Sequence, residues 1–296
     1  APPARPVRPS AAQMAAEKAA KKAEKEAKKA AEAAEQMALF EQGVQALKEK
    51  DFVLEACVDS VESALAAVKG GANRLELCSN LVIGGTTPSQ WLYEEIRKES
   101  DIRIHALIRP RFGDFCYTDH EFEIIRNEVR MFRKLGAEGI VIGILRPDGT
   151  LNMEEMEKLM EEAGDMSVTL HRAFDVCRNP YETFEQAKRL GISTILTSGQ
   201  KNSCVAGKEL LRELVSMEKG EITVQIGSGV DAAAIRELQP YTGAHAFHMT
   251  GKVVLESSMQ YRKEGVNMGL PSLSEFEIFR TDAEKIREAR KVLEEL

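Results

Sequence analysis

The chain has 296 residues, enough for one large domain or two ordinary ones, and its 43% apolar and 29% charged residues are the balance of a soluble globular protein. A formal charge of −7 argues against a nucleic-acid binder, because neutralising phosphates takes a basic excess. No apolar run approaches the roughly 18 residues of a membrane helix, and the opening Ala1-Pro2-Pro3-Ala4-Arg5 lacks the apolar segment of a signal peptide, so no membrane is expected as a partner.

Residues 1–50 stand apart. A Pro/Arg-rich start leads into almost pure Ala, Lys and Glu, strong helix formers with i,i+4 pairs such as Glu24 to Lys28. Large apolar residues are nearly absent before Met37, Leu39 and Phe40, so the segment cannot bury a core. It reads as an inert appended tail, helical or disordered.

From residue 51 onward short β-rich runs alternate with longer amphipathic ones. The runs are FVLEACV, RLELCS, RIHALIRP, GIVIGIL, SVTLHRAFD, STILTSG, ITVQIGSG and HAFHMTG. Between them, helices are expected over Ser60–Lys69, Pro88–Lys98, Asp119–Leu135, Asn152–Ala163, Tyr181–Leu190, Gly207–Met217 and Asp231–Leu238. Ser60, Thr87-Pro88 and Asn179-Pro180 supply starts, and Gly70-Gly71, Gly136 and Gly191 supply stops. Eight such units over residues 51–296 predict an α/β fold, a (β/α)8 TIM barrel. An open doubly wound sheet is the rival, disfavoured by the lack of a GxGxxG turn after the first strand.

In a barrel, function sits at the C-terminal ends of the strands, and residues two apart share a face. Glu55 and Cys57 then face the interior from the first strand. Arg74, Glu76 and Cys78 do so from the second, and His105, Leu107 and Arg109 from the third, with Arg111 and Asp114 just beyond. Thr169 and His171 follow on the fifth strand, leading into Arg172 and Asp175. The eighth offers His245 and His248 on opposite faces, His248 nearer the rim. Buried charges must neutralise one another, so Glu55, Arg74, Glu76 and Arg109 are expected to form a network. His105, early on its strand, reads as structural, His120 as a helix cap, and Trp91 as a packing anchor or subunit contact. Gly84-Gly85, Ser198-Gly199 and Gly227-Ser228-Gly229 place permissive backbone before helix starts, the last where many barrels bind phosphate.

Five cysteines, an odd number at wide spacing without CxxC, argue against a disulfide framework and for a reduced, cytoplasmic setting. Cys57 and Cys78 end neighbouring strands about 4.8 Å apart, close enough for two thiolates to share one soft ion, with a third ligand expected from His171 or a Met. Cys116, Cys177 and Cys204 have no such spacing and read as packing or loop residues.

The stretches EACVDSVESAL, GANRLELCSNL, GGTTPS, IRPRFGDFCYTD, TLHRAFD and LTSGQ, in order between Leu54 and Leu273, resemble the CutC family of copper homeostasis proteins. The resemblance implies the same barrel, a cytoplasmic protein, a homodimer or homotetramer, and Cu(I) bound at the thiols that correspond to Cys57 and Cys78. Two departures stand out: Phe112 replaces a usual Gly, and His248-Met249-Thr250 replaces Ser and Ala at the end of the eighth strand.

Two functions follow as expectations. The first is a copper homeostasis protein with Cys57 and Cys78 as metal ligands and no organic cofactor. The second is a barrel lyase, isomerase or hydrolase of a small sugar-like or phosphorylated anion. There Glu55, Glu76, His171 and Asp175 supply acid–base chemistry. Arg74, Arg109, Arg111, Asp114, Arg172, Ser198, Gly227, Ser228, Gly229 and His248 bind the substrate.

Overall fold

The structure, a computed structural model, describes residues 52–263, 265–266, 268–269 and 273–296. The expected tail over residues 1–50 lies outside them. Eight parallel strands close into a ring: β1 (Val53–Val58), β2 (Arg74–Leu77), β3 (Arg103–Leu107), β4 (Gly139–Ile142), β5 (Ser167–Leu170), β6 (Thr194–Thr197), β7 (Thr223–Ile226) and β8 (Ala246–Met249). β1 pairs with both β2 and β8, aligning Cys57 with Glu76 and Glu55 with His248.

Helices α1 (Val61–Gly70), α2 (Gln90–Glu99), α3 (Asp119–Leu135), α4 (Met153–Ala163), α5 (Pro180–Leu190), α6 (Lys208–Ser216) and α7 (Ala232–Thr242) alternate with the strands. The expected boundaries hold to within about two residues at most ends. Ser60 and Asn179 cap α1 and α5 through their side chains. Three details differ. Ser89, not Thr87-Pro88, caps α2; the Thr87 hydroxyl is instead taken up by Glu128, to which it donates, and by the Arg109 N–H, from which it accepts. Thr118 rather than His120 caps α3, since it forms a reciprocal capping box with Glu121. Helix α7 runs through Pro240 to Thr242 instead of stopping at Leu238, the proline falling within its last turn.

After β8 the chain makes a two-stranded antiparallel sheet, β9 (Lys252–Glu256) and β10 (Glu277–Thr281), and ends in α8 (Ala283–Glu295). Among the described residues no helix is long and apolar enough to cross a membrane.

Strand parity divides the core. Leu54, Ala56 and Val58, with Leu75, Leu77, Ile104 and Ala106, face outward and join the helices in the main apolar cluster. The alternate residues face inward, where Cys57, Cys78, Leu107 and Val141 form a small separate cluster. A parallel barrel buries both strand faces, so the polar residues of the inner face must be satisfied inside the protein.

Candidate functional site

The lower interior layer is a closed polar network. Arg74 donates through Nε to Oε2 of Glu55 at 2.5 Å and through Nη2 to Oε1 of Gln225 at 2.9 Å. Gln225 donates back to Glu55 at 2.9 Å, and Nδ1 of His248 lies 2.7 Å from Glu55 Oε1. Burial alone would raise the Glu55 carboxyl, but Arg74 and His248 outweigh it and hold it far below the ordinary carboxylate range. His105 packs nearby against Gly139, where a Cβ would lie 2.6 Å from the imidazole ring. Burial and then Arg74 push the His105 imidazole down to about 4. Its Nδ1 is buried without a partner.

One layer up, Cys57 and Cys78 present their Sγ atoms 3.8 Å apart. Cys57 also donates to Oε1 of Glu76 at 3.3 Å, and Cys78 to the Val58 carbonyl at 3.5 Å. The contact with Cys78, and then burial, push the Cys57 thiol well above its ordinary value. Burial also raises Glu76, the charge of His248 only partly opposing it, and its Oε2 is buried without a partner. Burial disfavours the His248 imidazolium, but Glu76 and then Glu55 outweigh it and raise His248. Ligand atoms of Cys57, Glu76 and His248 lie within 4.8 Å of one another, an arrangement that can hold a metal ion. Glu76 and His248 thus stand beside the thiol, while His171, expected as a third ligand, is not in this group of Cys, His and carboxylate side chains. Gly85, at φ +84, lets its loop close over the second sulfur, since a Cβ there would meet Leu107 at 2.7 Å and Cys78 at 3.4 Å.

Above the thiols opens a cavity of about 570 Å³. Cys57, Glu76, Arg109, His171, Arg172, Asp175, Ser228, Gly229 and His248 line it. Buried Arg109 donates to the carbonyls of Gly84, Gly85 and Gly113, and lies over the Phe115 ring at 5.1 Å. His171 accepts from the Ala173 N–H through Nδ1 at 3.1 Å, so in the neutral ring the proton sits on Nε2. Burial and Arg109 hold the His171 imidazole down at about 3, and Nε2 is buried without an acceptor. His171 is thus a neutral hydrogen-bond donor near pH 7. Asp175 accepts from Arg172, Thr197, Ser198 and the Gln200 N–H, which ties the fifth and sixth loops together.

The remaining residues expected at the mouth lie elsewhere. Glu55 and Arg74 occupy the layer below. Arg111 turns to Asp114, Glu121 and the Tyr117 ring within its own loop. Ser198 is fully buried beneath Arg172 and Asp175, and Gly227 packs where a Cβ would meet Leu196 at 2.7 Å. Sequence reasoning missed Lys252, Phe279 and Phe115, which also line the cavity. The run Val253-Val254-Leu255, a β-rich stretch left over after eight strands, was the available sign of the extra sheet carrying Lys252 and Phe279.

The model of the CutC family matches residues 52–253. The chain belongs to the CutC family. A CutC family protein of Bacteroides fragilis (strain YCH46) is 41% identical over 244 residues, covering 81% of this chain and 96% of the relative. The human copper homeostasis protein cutC homolog is 39% identical over 237 residues, covering 80% of this chain and 87% of that protein. Among solved structures, a CutC from Streptococcus agalactiae matches with a TM-score of 0.64 at 29% identity, over 67% of this chain and 98% of that one. The family match and the closed ring of eight strands agree with the barrel that the spacing of the runs predicted.

Proposed function

We propose that this protein acts in copper homeostasis by holding Cu(I) as cargo between Cys57 and Cys78. The observation that carries the reading is the 3.8 Å separation of the two sulfurs, in a small apolar cluster at the floor of the mouth. With a metal–sulfur bond of about 2.3 Å, as for zinc thiolates, two sulfurs at this separation subtend roughly 110° at a shared ion. That bent geometry calls for a third donor, and Glu76 and His248 stand beside Cys57 to provide it. Soft thiolates favour Cu(I), and the apolar surroundings shield the ion from oxidation and water. The test is competition for Cu(I) against a chromophoric chelator. The parent should strip the chelator, and Cys57→Ser combined with Cys78→Ser should lose that ability by at least about a hundredfold, roughly 2.7 kcal/mol. Equal competition by parent and double variant sinks the thiol-pair reading.

Cytoplasmic location and a homodimer or homotetramer belong to the same proposal. Free cysteines at all five positions accord with a reducing compartment. Trp91, 67% exposed on α2, does not pack inside its own barrel and is available to a subunit contact. Fractionation and light scattering test the two points.

A second reading, a barrel enzyme acting on a small sugar-like or phosphorylated metabolite, draws on the size of the cavity. About 570 Å³ falls within the range of small-molecule sites and exceeds what a bare ion requires. Glu76, raised and with one free oxygen, is the acid–base candidate, His171 a neutral donor, and Glu55 and Asp175 the carboxylates that position their neighbours. Turnover of a component of a metabolite extract, followed by mass spectrometry and abolished by Glu76→Gln, tests it.

A further inference from the structure

The mouth carries more positive charge than its own carboxylates neutralise. Arg109 is only 7% exposed, yet its hydrogen bonds go to three main-chain carbonyls rather than to a carboxylate, and its Nε is buried without a partner. Lys252 rests its Nζ 4.6 Å from the Phe279 ring, and among the described residues no carboxylate pairs with it. Arg172 does pair with Asp175, but that carboxylate is shared with the Thr197 hydroxyl and with donors of Ser198 and Gln200. All three cations border one cavity in a protein whose formal charge is −7.

The uncharged features have the same sense. Nε of Arg109 and Nε2 of His171 are both buried donors lacking acceptors, and the Phe115 ring lies against both residues, at 5.1 Å and 4.7 Å. Ser228 and Gly229, at φ 71 and 79, line the cavity just ahead of α7, whose N-terminus is already capped by the Asp231 carboxylate. Leu81, Val82 and Ile83 add an apolar stretch to the same lining. Unmatched cations and donors without acceptors call for acceptor oxygens carrying negative charge, and the apolar wall calls for carbon.

We propose that the cavity binds a small organic anion, a carboxylate or a phosphate monoester. Arg172, Lys252 and the Ser228–Val230 main chain hold its charged end, Arg109 supplies the field, and its carbon skeleton lies on the Leu81–Ile83 wall. This rests on the small-molecule reading of the mouth and names the chemistry of its ligand; it needs no copper.

The experiment uses the full chain in excess chelator, with malate, glycerol 3-phosphate, inorganic phosphate and glycerol as probes, read by thermal unfolding and titration calorimetry. Malate or glycerol 3-phosphate should raise the unfolding midpoint in a saturable manner with a Kd below about 1 mM, and the stronger of the two identifies the anionic group. Glycerol should leave the midpoint unchanged, and inorganic phosphate should bind at least about tenfold more weakly than the better organic probe. Lys252→Gln, at an exposed position that does not endanger folding, and Arg172→Gln should each weaken that binding about tenfold. No binding by either organic probe, inorganic phosphate binding as tightly as both, or affinity untouched by both substitutions overturns the proposal. Binding without turnover in any extract refutes the catalytic reading and leaves the anion site standing.

Discussion

Arg74 and Glu55 form an ion pair, Nε to Oε2 at 2.5 Å, with neither residue more than 8% exposed. The pair joins β1 to β2 below the thiols and, through Gln225 and His248, spans the barrel interior to β7 and β8. Arg74→Met leaves a buried carboxylate without its cation and is expected to cost about 3–5 kcal/mol in urea unfolding. Adding Glu55→Gln should recover part of that loss, because the uncompensated charge goes with it. A loss under about 1 kcal/mol for the single variant contradicts this account.

The approach of His105 to Gly139 is as specific. A methyl at residue 139 would lie 2.6 Å from the ring, so Gly139→Ala should destabilise by about 1–3 kcal/mol. The cost should shrink when His105→Ala is added, and a double-mutant cycle reads the coupling. Strict additivity rules out the clash as the cause.

Stability should depend on pH through His105 and His171. Both are neutral when folded, held down at about 4 and about 3, against an ordinary 6.5 in the unfolded chain. The unfolded state therefore binds more protons over this window. Stability is fully present above about pH 7 and falls as pH drops through 6.5 toward 4. His248, raised in the fold, contributes in the opposite sense: its share is lost as pH rises above 6.5. His105→Gln should flatten the acid limb of a denaturation-midpoint profile, and an unchanged slope refutes the assignment.

On the proposed thiol-pair reading, affinity for Cu(I) should rise with pH. Cys57 is pushed well above its ordinary value by Cys78 and burial, so the free site holds its proton at neutrality and must release it to coordinate. Chelator competition between about pH 6 and 8 should show tighter Cu(I) binding at each step upward, with alkylation of Cys57 slow over the same range. A pH-independent affinity excludes a protonated resting thiol.

Asp175 should matter more for order than for charge. Asp175→Asn keeps the shape but forfeits the charge-assisted bonds to Arg172 and to the Ser198 and Gln200 amides. Amide exchange at Ser198 and Gln200 is expected to accelerate at least about tenfold while the far strands are unaffected. Uniform acceleration across the barrel means global destabilisation instead.

The sequence by itself determined the alternation of strands and helices and the face on which each polar residue falls. Both are local consequences of period: Glu55 and Cys57 lie two apart, as do Arg74, Glu76 and Cys78, and Ser60 and Asn179 cap the helices that follow them. The sequence anticipated contacts between neighbouring strands, Glu55 with Arg74 and Cys57 with Cys78, but not which residues meet across the ring. Glu55 finds His248 and Gln225 some 170 to 193 positions away, and only closure of β1 on β8 brings them together. The same closure brings His248 to the Cys57–Glu76 pair that β1 and β2 align, while loop geometry turns Arg111 and Asp114 onto each other. Spacing along one strand is a covalent fact, readable in one dimension. Contact across a ring depends on register, loop length and the packing of every strand between, and those exist only once the ring has closed.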